Sequence, residues 1–497
     1  MAIEKTIQDK NEKLEKIQKL GINPYAYSFD PNTKTIELHK KYDDSLNPEE
    51  KTNDNVKIAG RLMTVRRFGK LVFLDLDDGY GKIQLCAKQD EMQDSFDLID
   101  LLDRGDFAGA EGIVFKTKKG ELSILVKNIT LLTKSLALLP DKWAGLKDID
   151  DRFRNRHVDL IINPETRNIF IKRAEIISFI REFLDKKEFL EVETPTLQPV
   201  YGGASARPFK TISHAWKSEF YLSISPELYL KRLLIGGFQR VYTICKNFRN
   251  EDVDRTHNPE FTMVECYAAY WDYNDVMNLV EELYEKLAIC LNKSTKIMYQ
   301  NQEIDFKRPW KRITMKEALK QYAKLDVDSL NDKQLQELLE KNKIELDEYK
   351  RGLAIAELFD KLCESYLIQP TFVYDYPKET IGLCKLKRGN PELIERFEYF
   401  INGKEQGNAY SELTDSKLQE KFFIEQKNQG KMKGEEQPVD TDFINSLEYG
   451  MPPAGGVGIG IDRIIMLFTN SPSIREVILF PQLKPKDQNR NEENSVQ

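Results

Sequence analysis

The pattern of apolar and polar positions divides the 497-residue chain into segments of different character. Residues 4–20 are highly charged with sparse apolar positions, which predicts a surface helix. From Val56 to about Leu132, short β-branched and aromatic runs alternate with glycine and charged turns, and they predict five strands. Five short strands favour a small β-barrel.

The second half of the chain has the mixed periodicities of an α+β domain. Four apolar positions recur at helical spacing: Ile176, Phe179, Ile180 and Phe183. The strand-like run FLEVETP follows and ends at Pro195. From about residue 312 to 366, a lysine-rich and leucine-rich stretch predicts a helical insertion in this domain.

These patterns predict five segments along the chain. They are an N-terminal helical extension (1–50), a β-barrel (51–138), a linker (139–155), the α+β domain (156–484) and a tail (485–497). The linker is inferred from Pro140 and the charged residues after it. The tail has almost no apolar content, so we expect it to be disordered.

The composition is that of a globular protein, with 40% hydrophobic and 31% charged residues. No stretch is apolar and long enough to span a bilayer, and the charged N-terminus does not resemble a signal peptide. The six cysteines are scattered without zinc-site spacing, so we expect reduced core thiols. A cytoplasmic protein without a membrane partner is therefore expected. Because the net charge is −7, nucleic acid could bind only where basic residues cluster locally.

Residues 241–270 predict a strand, a polar loop and a return strand. Arg249 and Glu251 are two positions apart, so on a strand both would point to one face. On the return strand, Phe261, Glu265 and Tyr267 share a face by the same alternation. Charged groups on the inner face of a sheet are costly unless they are paired or bind a ligand. The pattern therefore indicates a binding site.

The residue types in this segment suit an adenine nucleotide. Arg249 can neutralise a phosphate, Glu251 can accept a hydrogen bond from an exocyclic amine, and Phe261 can stack on a base. The alternative is an internal salt bridge of Arg249 with Glu251 or Glu265. Sequence alone leaves both interpretations open.

A glycine-rich run at residues 455–460 precedes Asp462, Arg463 and an apolar helical pattern. Glycines in a strand permit close approach of a ligand, and an arginine at a helix start can meet a terminal phosphate. The spacing matches neither the Walker nor the Rossmann fingerprint. Tight packing without a ligand is the alternative.

Two acidic residues, Glu405 and Glu412, flank Gly407 and offer the oxygen ligands that Mg²⁺ prefers. Their odd separation would place them on opposite faces of a regular strand. A shared role therefore requires a bulge near Gly407. The alternative is a pair of solvent-exposed acids.

The barrel segment is locally basic despite the acidic total. Arg66 and Arg67 can attract phosphates, Phe73 can stack on a base, and Gln84 can hydrogen-bond to a base edge. Small five-stranded barrels commonly bind oligonucleotides in this way. An ordinary solvated basic strand is the alternative.

Together these segments resemble a known family. FRNE at 248–251 with THNPEF at 256–261 resembles motif 2 of the class II aminoacyl-tRNA synthetases, and GVGIGIDR at 456–463 resembles motif 3. The run ending at Pro195 resembles motif 1, which builds the dimer interface in this class. PELYLKRL at 226–233 and the segment 405–412 are similar to the lysine-specific members.

The resemblance implies an α+β fold, with a catalytic antiparallel sheet flanked by helices and an N-terminal OB-fold that reads the anticodon. It implies activation of L-lysine with ATP to lysyl-adenylate and pyrophosphate, then transfer of the lysyl group to the 3′ end of tRNA(Lys) during translation. Mg²⁺ is the implied cofactor, and a homodimer is the implied assembly.

The resemblance also implies roles for individual residues. Arg249 and Arg463 would be catalytic. ATP would be bound by Arg249, Glu251, His257, Asn258, Phe261, Glu405 and Arg463. Lysine would be bound by Gly203, Glu227, Arg249, Glu265, Tyr267, Asn408, Tyr410, Glu412 and Gly458. Glu405 and Glu412 would hold the metal, and Phe73 and Gln84 would contact the anticodon with support from Arg66 or Arg67.

Three other functions compete with this prediction. The related aspartate and asparagine enzymes share the motifs, but Glu265 and Glu227 would repel aspartate or leave asparagine unpaired. A paralogue that forms lysyl-adenylate and modifies a protein or lipid would lack the barrel. A catalytically dead nucleic-acid-binding module would lack Arg249 or Arg463, and both residues are present.

Overall fold

The computed structural model describes residues 2–140, 146, 148–380, 382–432 and 438–485. The chain forms two compact units, residues 1–147 and 148–497. The predicted disordered tail lies, from residue 486 on, outside the described residues. Within the described part of the chain, no helix is both long and apolar enough to cross a membrane.

The first unit is a closed five-stranded barrel preceded by two helices. The helices are α1 (Ala2–Lys19) and α2 (Thr35–Tyr42). The strands are β1 (Lys51–Phe68), β2 (Leu71–Asp77), β3 (Lys82–Lys88), β4 (Phe107–Lys116) and β5 (Leu122–Thr133), and they pair in the order β1-β2-β3-β5-β4. The five predicted strands are confirmed.

Alternation along the barrel strands separates an apolar interior from an outer face. On β2, Val72, Leu74 and Leu76 are buried in the barrel core, whereas Phe73 and Asp75 point the other way. The outer face of β2 therefore carries the predicted stacking residue.

The second unit is built on a nine-stranded sheet with the order β14-β15-β17-β18-β19-β11-β10-β6, and β16 pairs with β17 off this path. Its pairs are antiparallel except at both edges, where β6 pairs with β10 and β14 with β15 in parallel. The strands of this sheet are β6 (Leu190–Glu191), β10 (Arg240–Phe248), β11 (Glu260–Ala269), β14 (Lys311–Thr314), β15 (Thr371–Pro377), β16 (Leu386–Lys387), β17 (Asn390–Ile401), β18 (Lys404–Ser411) and β19 (Ala454–Gly460).

Smaller sheets and helices complete this unit. The remaining strands are β7 (Leu197–Gln198), β8 (Lys210–Ser213), β9 (Ser218–Leu222), β12 (Lys296–Tyr299) and β13 (Gln302–Asp305). The helices are α3 (Ile149–Arg154), α4 (Arg156–Ile162), α5 (Pro164–Asp185), α6 (Glu227–Ile235), α7 (Tyr273–Asn292), α8 (Met315–Ala318), α9 (Asp332–Lys341), α10 (Arg351–Leu362), α11 (Ser416–Met432), α12 (Thr441–Leu447), α13 (Ile461–Thr469) and α14 (Ile474–Val477).

Two apolar cores cover the two faces of the large sheet. One core joins α5, α7 and α13 to residues such as Val264 and Cys266 of β11. The other joins α6, α10 and α12 to Tyr267 of β11 and Tyr410 of β18. Successive residues of β11 therefore enter different cores, as the alternation predicted, and the polar residues Glu265 and Tyr267 lie on the α6 side.

Two predicted segments differ in detail from the structure. Residues 312–314 were assigned to the helical insertion, but they lie in β14, an edge strand of the large sheet. The rest of that insertion contains α8, α9 and α10. Residues 149–154 of the predicted linker form α3, because Asp148 caps this helix by accepting from Asp150 N and Asp151 N.

Candidate active site

The site lies where four strands of the large sheet are in register. One row of paired residues runs Glu398, Asn408, Gly458 and Glu265 across β17, β18, β19 and β11. The next row runs Arg396, Tyr410, Gly456 and Tyr267. Directly paired residues of antiparallel strands share a face. The sheet therefore gathers five of the predicted lysine-binding residues on one surface.

Glu265 is buried, and both of its carboxylate oxygens accept a hydrogen bond. Ser225 Oγ donates to Glu265 Oε1 and Tyr267 OH donates to Glu265 Oε2, each over 2.9 Å. Burial and the nearby Glu227 raise the pKa of Glu265 to about 8, against the effect of the two donors. A cation brought next to this carboxylate would favour its ionised form.

Two further buried carboxylates share one ammonium. Lys231 Nζ lies 2.5 Å from Glu227 Oε1 and 2.5 Å from Glu412 Oε2. Burial alone would lower the pKa of Lys231, but the two carboxylates raise it above its ordinary value and keep the ammonium charged. Burial raises the pKa of Glu412 despite this ion pair.

Glycines keep the middle of this surface open. A Cβ on Gly456 would lie 2.2 Å from the Tyr267 ring and 2.6 Å from Glu412 Oε1. A Cβ on Gly458 would lie 3.0 Å from Met263 Cε. Gly203 has a φ of +84°, and a Cβ there would lie 3.0 Å from Ser225 Oγ. Side chains at these positions would close the space beside Glu265.

Arg249 lies beyond the strand that was expected to carry it. β10 ends at Phe248, so the predicted shared strand face of Arg249 and Glu251 is wrong. The chain leaves the ladder because Asn250 N donates to Arg207 O, and Arg207 N donates to Glu251 Oε1 over 3.2 Å. Arg249 and Glu251 therefore reach the site from the start of a loop.

The Arg249 guanidinium is nevertheless well placed to bind an anion. Its carbon lies 5.1 Å from the centre of the Phe261 ring, and its Nε is buried without a hydrogen-bond partner among the described residues. Burial lowers the pKa of Arg249 from its ordinary value, and the acids Glu251 and Glu265 oppose this shift. A guanidinium with a buried, unbonded Nε is a group that a carboxylate or phosphate would satisfy.

The loop between β10 and β11 is held by its own side chains. His257 Nδ1 lies 2.9 Å from Asp254 Oδ2, and both residues are exposed. Asn258 Nδ2 donates to Glu260 O and to Gln482 Oε1, each over 2.6 Å, while its Oδ1 is buried without a partner in the described part of the chain. In this structure, His257 and Asn258 have structural contacts, and their predicted contacts with ATP remain predictions.

Arg463 lies in the first turn of α13 and contacts β18. Its Nη1 donates to Glu405 O over 2.6 Å and to Glu405 Oε2 over 3.2 Å. The preceding Asp462 accepts from Arg173 Nη1 over 2.6 Å and from Thr262 N over 2.7 Å. The glycine-rich strand and the apolar helix predicted around Arg463 are confirmed as β19 and α13.

A β-bulge brings Glu405 to the site face, as the odd spacing required. Phe400 pairs with Glu405 and Tyr399 pairs with Gly407, so Gln406 is the extra residue on β18. Burial alone would raise the pKa of Glu405, but Arg463, Arg396 and Arg249 lower it. Glu405 is therefore an ionised carboxylate among arginines, with oxygens that could serve as metal ligands.

The second carboxylate of a metal site has two candidates. Glu412 faces Lys231, and an ammonium at 2.5 Å opposes binding of a dication there. Glu398 is half-buried on the same face as Glu405, and Arg396 donates to it. Burial raises the pKa of Glu398 to about 7, with Arg396 opposing and Glu405 adding to the rise. Glu405 fits the oxygen chemistry of Mg²⁺, and its electrostatic contact with Glu398 favours Glu398 as the second carboxylate.

The predicted anticodon residues lie in the barrel, and three of them share its outer face. Arg66 is paired with Phe73, and Gln84 is paired with Asp75, two positions from Phe73. Arg66 Nη2 donates to Asp75 Oδ1 over 2.9 Å. Arg67 is paired with Val72 on the opposite face and forms an ion pair with Asp100.

Several site residues were missed by reasoning from the sequence. They are Ser225, Lys231, Arg396, Glu398 and Asp462. Lys231 lies one helical turn after Glu227, and Arg396 and Glu398 alternate on one strand, so their periodicity was a usable signal. Nothing local in the sequence pairs Ser225 with Glu265.

Comparison with known proteins covers both units. A family model for tRNA synthetases class II (D, K and N) matches residues 148–484, and one for an OB-fold nucleic acid binding domain matches residues 56–132. Lysine–tRNA ligase 2 of Methanosarcina mazei is 48% identical over 480 residues, which cover 96% of this chain and 93% of the relative.

Similar relatives come from other organisms. The lysine–tRNA ligase of Methanoculleus marisnigri is 46% identical over 481 residues, and that of Clostridium novyi is 47% identical over 487 residues. Each alignment covers 96% of this chain and 94% of the relative. The predicted fold, an OB-fold unit and a class II sheet flanked by helices, is confirmed. The chain therefore belongs to the class II aminoacyl-tRNA synthetases, in the family of the lysine–tRNA ligases.

Proposed function

We propose that the pocket on the large sheet binds L-lysine for the ATP-dependent charging of tRNA(Lys). The observation that carries this proposal is the group of three buried carboxylates, Glu227, Glu265 and Glu412. An ammonium on an apolar stem requires such acceptors when it leaves water. Tyr267, Tyr410 and Asn408 line the same rows and would contact the stem and the amine.

Arg249 would bind the other end of the substrate. Its guanidinium, with a buried and unbonded Nε, can pair with the lysine carboxylate and with the α-phosphate of ATP. Holding both reactants against one cation lowers the entropic barrier to their reaction. A carboxylate oxygen would then attack the α-phosphorus, and pyrophosphate would leave with the electrons of the broken phosphoanhydride bond.

The nucleotide would lie between the motif 2 loop and α13. Phe261 offers a ring for the adenine, Glu251 an acceptor for its amine, and Arg463 a partner for the γ-phosphate. Glu405 would hold Mg²⁺ together with Glu412 or Glu398, and the ion would neutralise phosphate oxygens when bound. His257, Asn258, Gly203 and Gly458 would complete the predicted contacts with ATP and lysine.

The second step would transfer the lysyl group to tRNA. A ribose hydroxyl at the 3′ end would attack the carbonyl carbon of the adenylate, and AMP would leave. The outer barrel face with Arg66, Phe73 and Gln84 would bind the anticodon. We propose Arg66 as the supporting cation, because Arg67 lies on the opposite face and pairs with Asp100.

The test is amino-acid-dependent exchange of pyrophosphate into ATP with each of the twenty amino acids, followed by charging of total tRNA. Lysine should support both reactions. A response to aspartate or asparagine would overturn the pocket assignment. Exchange with lysine but no charging would favour an enzyme that modifies a protein or lipid.

Two further proposals concern assembly and location. The run FLEVETP ending at Pro195 resembles motif 1, so we propose a homodimer, and light scattering should give twice the mass of one chain. A stable, active monomer would contradict this proposal. Because the reaction serves translation, we propose that the protein works in the cytoplasm.

A further inference from the structure

Lys231 is a wholly buried cation at the amino-acid pocket that the proposed reaction does not use. It lies on α6, four residues after Glu227, and its Nζ is 2.5 Å from both Glu227 Oε1 and Glu412 Oε2. It also lies 6.0 Å from the centre of the Tyr410 ring. One ammonium therefore connects α6 to the end of β18 at the pocket wall.

The charges around Lys231 suit a substrate with two ammonium groups. The pocket holds three buried carboxylates, those of Glu227, Glu265 and Glu412, and Lys231 cancels one of their negative charges. Lysine brings two ammonium groups, and its own carboxylate would pair with Arg249. The filled pocket would then have matched charges, which a buried site requires.

The geometry of the two carboxylates also depends on Lys231. Glu227 is the first residue of α6, and Glu412 follows β18, so they belong to separate elements. Without a shared cation, two buried carboxylates would repel each other and turn toward any available positive group. The two carboxylates would then no longer lie where they can accept hydrogen bonds from the ammonium of a substrate.

We propose that Lys231 is a positioning and specificity-determining residue, which holds Glu227 and Glu412 as acceptors and sets the pocket's charge for a diammonium substrate. This inference rests on the proposed binding of lysine in the pocket. It assigns to α6 a role in substrate selection that extends beyond the contact of Glu227 with the ligand.

The first experiment uses Lys231→Met in the full chain, which keeps the length of the side chain and removes its charge. In pyrophosphate exchange, the KM for lysine should rise about tenfold or more, because the acceptors lose their alignment. The KM for ATP should change much less than the KM for lysine, since Lys231 contacts none of the residues proposed for the adenine or the phosphates, and Glu412 is only one of two candidates for the second Mg²⁺ ligand.

The barrel provides a matched control. Lys134 is also wholly buried between two carboxylates, with its Nζ 2.6 Å from Asp103 Oδ2 and 2.8 Å from Asp106 Oδ2. Lys134→Met removes the same charge from a comparable setting in the other unit. This variant should have a lower thermal stability, but its KM for lysine in the pyrophosphate-exchange assay should be unchanged.

Chemical rescue separates charge from packing. Lys231→Ala removes the side chain, and propylammonium added to this variant should lower the KM for lysine toward the wild-type value. Propanol of similar size should have no effect. Rescue by both compounds, or by propanol alone, would assign Lys231 a packing role and overturn the inference.

The remaining outcomes are distinct. If the wild-type chain shows no lysine-dependent exchange, the proposed function fails and the inference fails with it. If the wild type exchanges with lysine and folded Lys231→Met keeps its KM, only the inference fails. If Lys231→Met, Lys231→Ala and Lys231→Arg all fail to fold by circular dichroism, Lys231 serves folding and the inference is overturned.

Discussion

At the scale of the residue, the protonation state of Glu265 is set by hydrogen bonds and burial, which act in opposite directions. Ser225 and Tyr267 donate to its two oxygens and favour the ionised form. Burial and the neighbouring Glu227 favour the protonated form and raise the pKa to about 8. Near neutral pH, a large fraction of Glu265 is therefore protonated before lysine binds, and the protonated form cannot pair with an ammonium.

This balance predicts the pH dependence of lysine binding. Above pH 8, Glu265 is ionised and ready to accept the substrate ammonium. As the pH falls below about 8, binding must first remove a proton, so the KM for lysine should rise by up to about tenfold per pH unit. Pyrophosphate exchange measured from pH 6 to 9 with saturating ATP tests this expectation.

The control for the pH profile is Glu265→Gln. This variant should bind lysine more weakly at every pH, and its KM should depend less on pH because the titrating group is gone. An unchanged, steep profile in Glu265→Gln would show that another group titrates. A flat profile in the wild type would contradict a raised pKa at Glu265.

At the scale of the element, β19 is a strand whose lack of side chains creates the site. It lies between β18 and β11, and Gly456 and Gly458 occupy the centres of the two functional rows. The Tyr267 ring covers Gly456 so closely that a Cβ there would lie 2.2 Å from it. The side chain of Tyr267, and with it the donor to Glu265, therefore depends on this glycine.

Gly456→Ala should damage the pocket. The methyl group must displace Tyr267 or Glu412, and such overpacking costs about 1 to 3 kcal/mol. Thermal unfolding should register the loss of stability, and exchange should show a higher KM for lysine. Gly460→Ala is the matched control on the same strand, because its Cβ would lie 3.5 Å from Arg463 Cδ, an ordinary contact. Equal effects of the two substitutions would contradict this account.

The same elements show what the sequence could and could not predict. The alternation on β11 and the bulge at Gln406 were predictable, because a strand has a fixed period and an odd spacing must be corrected. The position of Arg249 could not be predicted. β10 ends before it, and the next residue, Asn250, donates its backbone N–H to Arg207 O in a distant segment of the chain. Lys231 was missed because its second partner, Glu412, is distant in sequence.

At the scale of the whole molecule, the proposed reaction site and the proposed anticodon-binding face lie in different units. The carboxylates and arginines proposed for adenylate formation all lie in residues 148–497, and the proposed anticodon face lies in residues 1–147. Exchange of pyrophosphate requires only the first reaction, whereas charging of tRNA requires both units. Substitutions on the barrel should therefore affect charging alone.

Phe73→Ala tests this separation. Loss of a stacking ring costs about 1 to 3 kcal/mol per base, so kcat/KM for charging should fall by about 5- to 150-fold while lysine-dependent exchange stays unchanged. Arg66→Ala should act in the same direction, because Arg66 is paired with Phe73 on the outer face. Arg67→Ala should have the smaller effect on charging, because that side chain pairs with Asp100 on the other face. If Arg67→Ala proved the more damaging of the two, or if Phe73→Ala lowered exchange as much as charging, the barrel face proposed here would not be the surface that binds the anticodon.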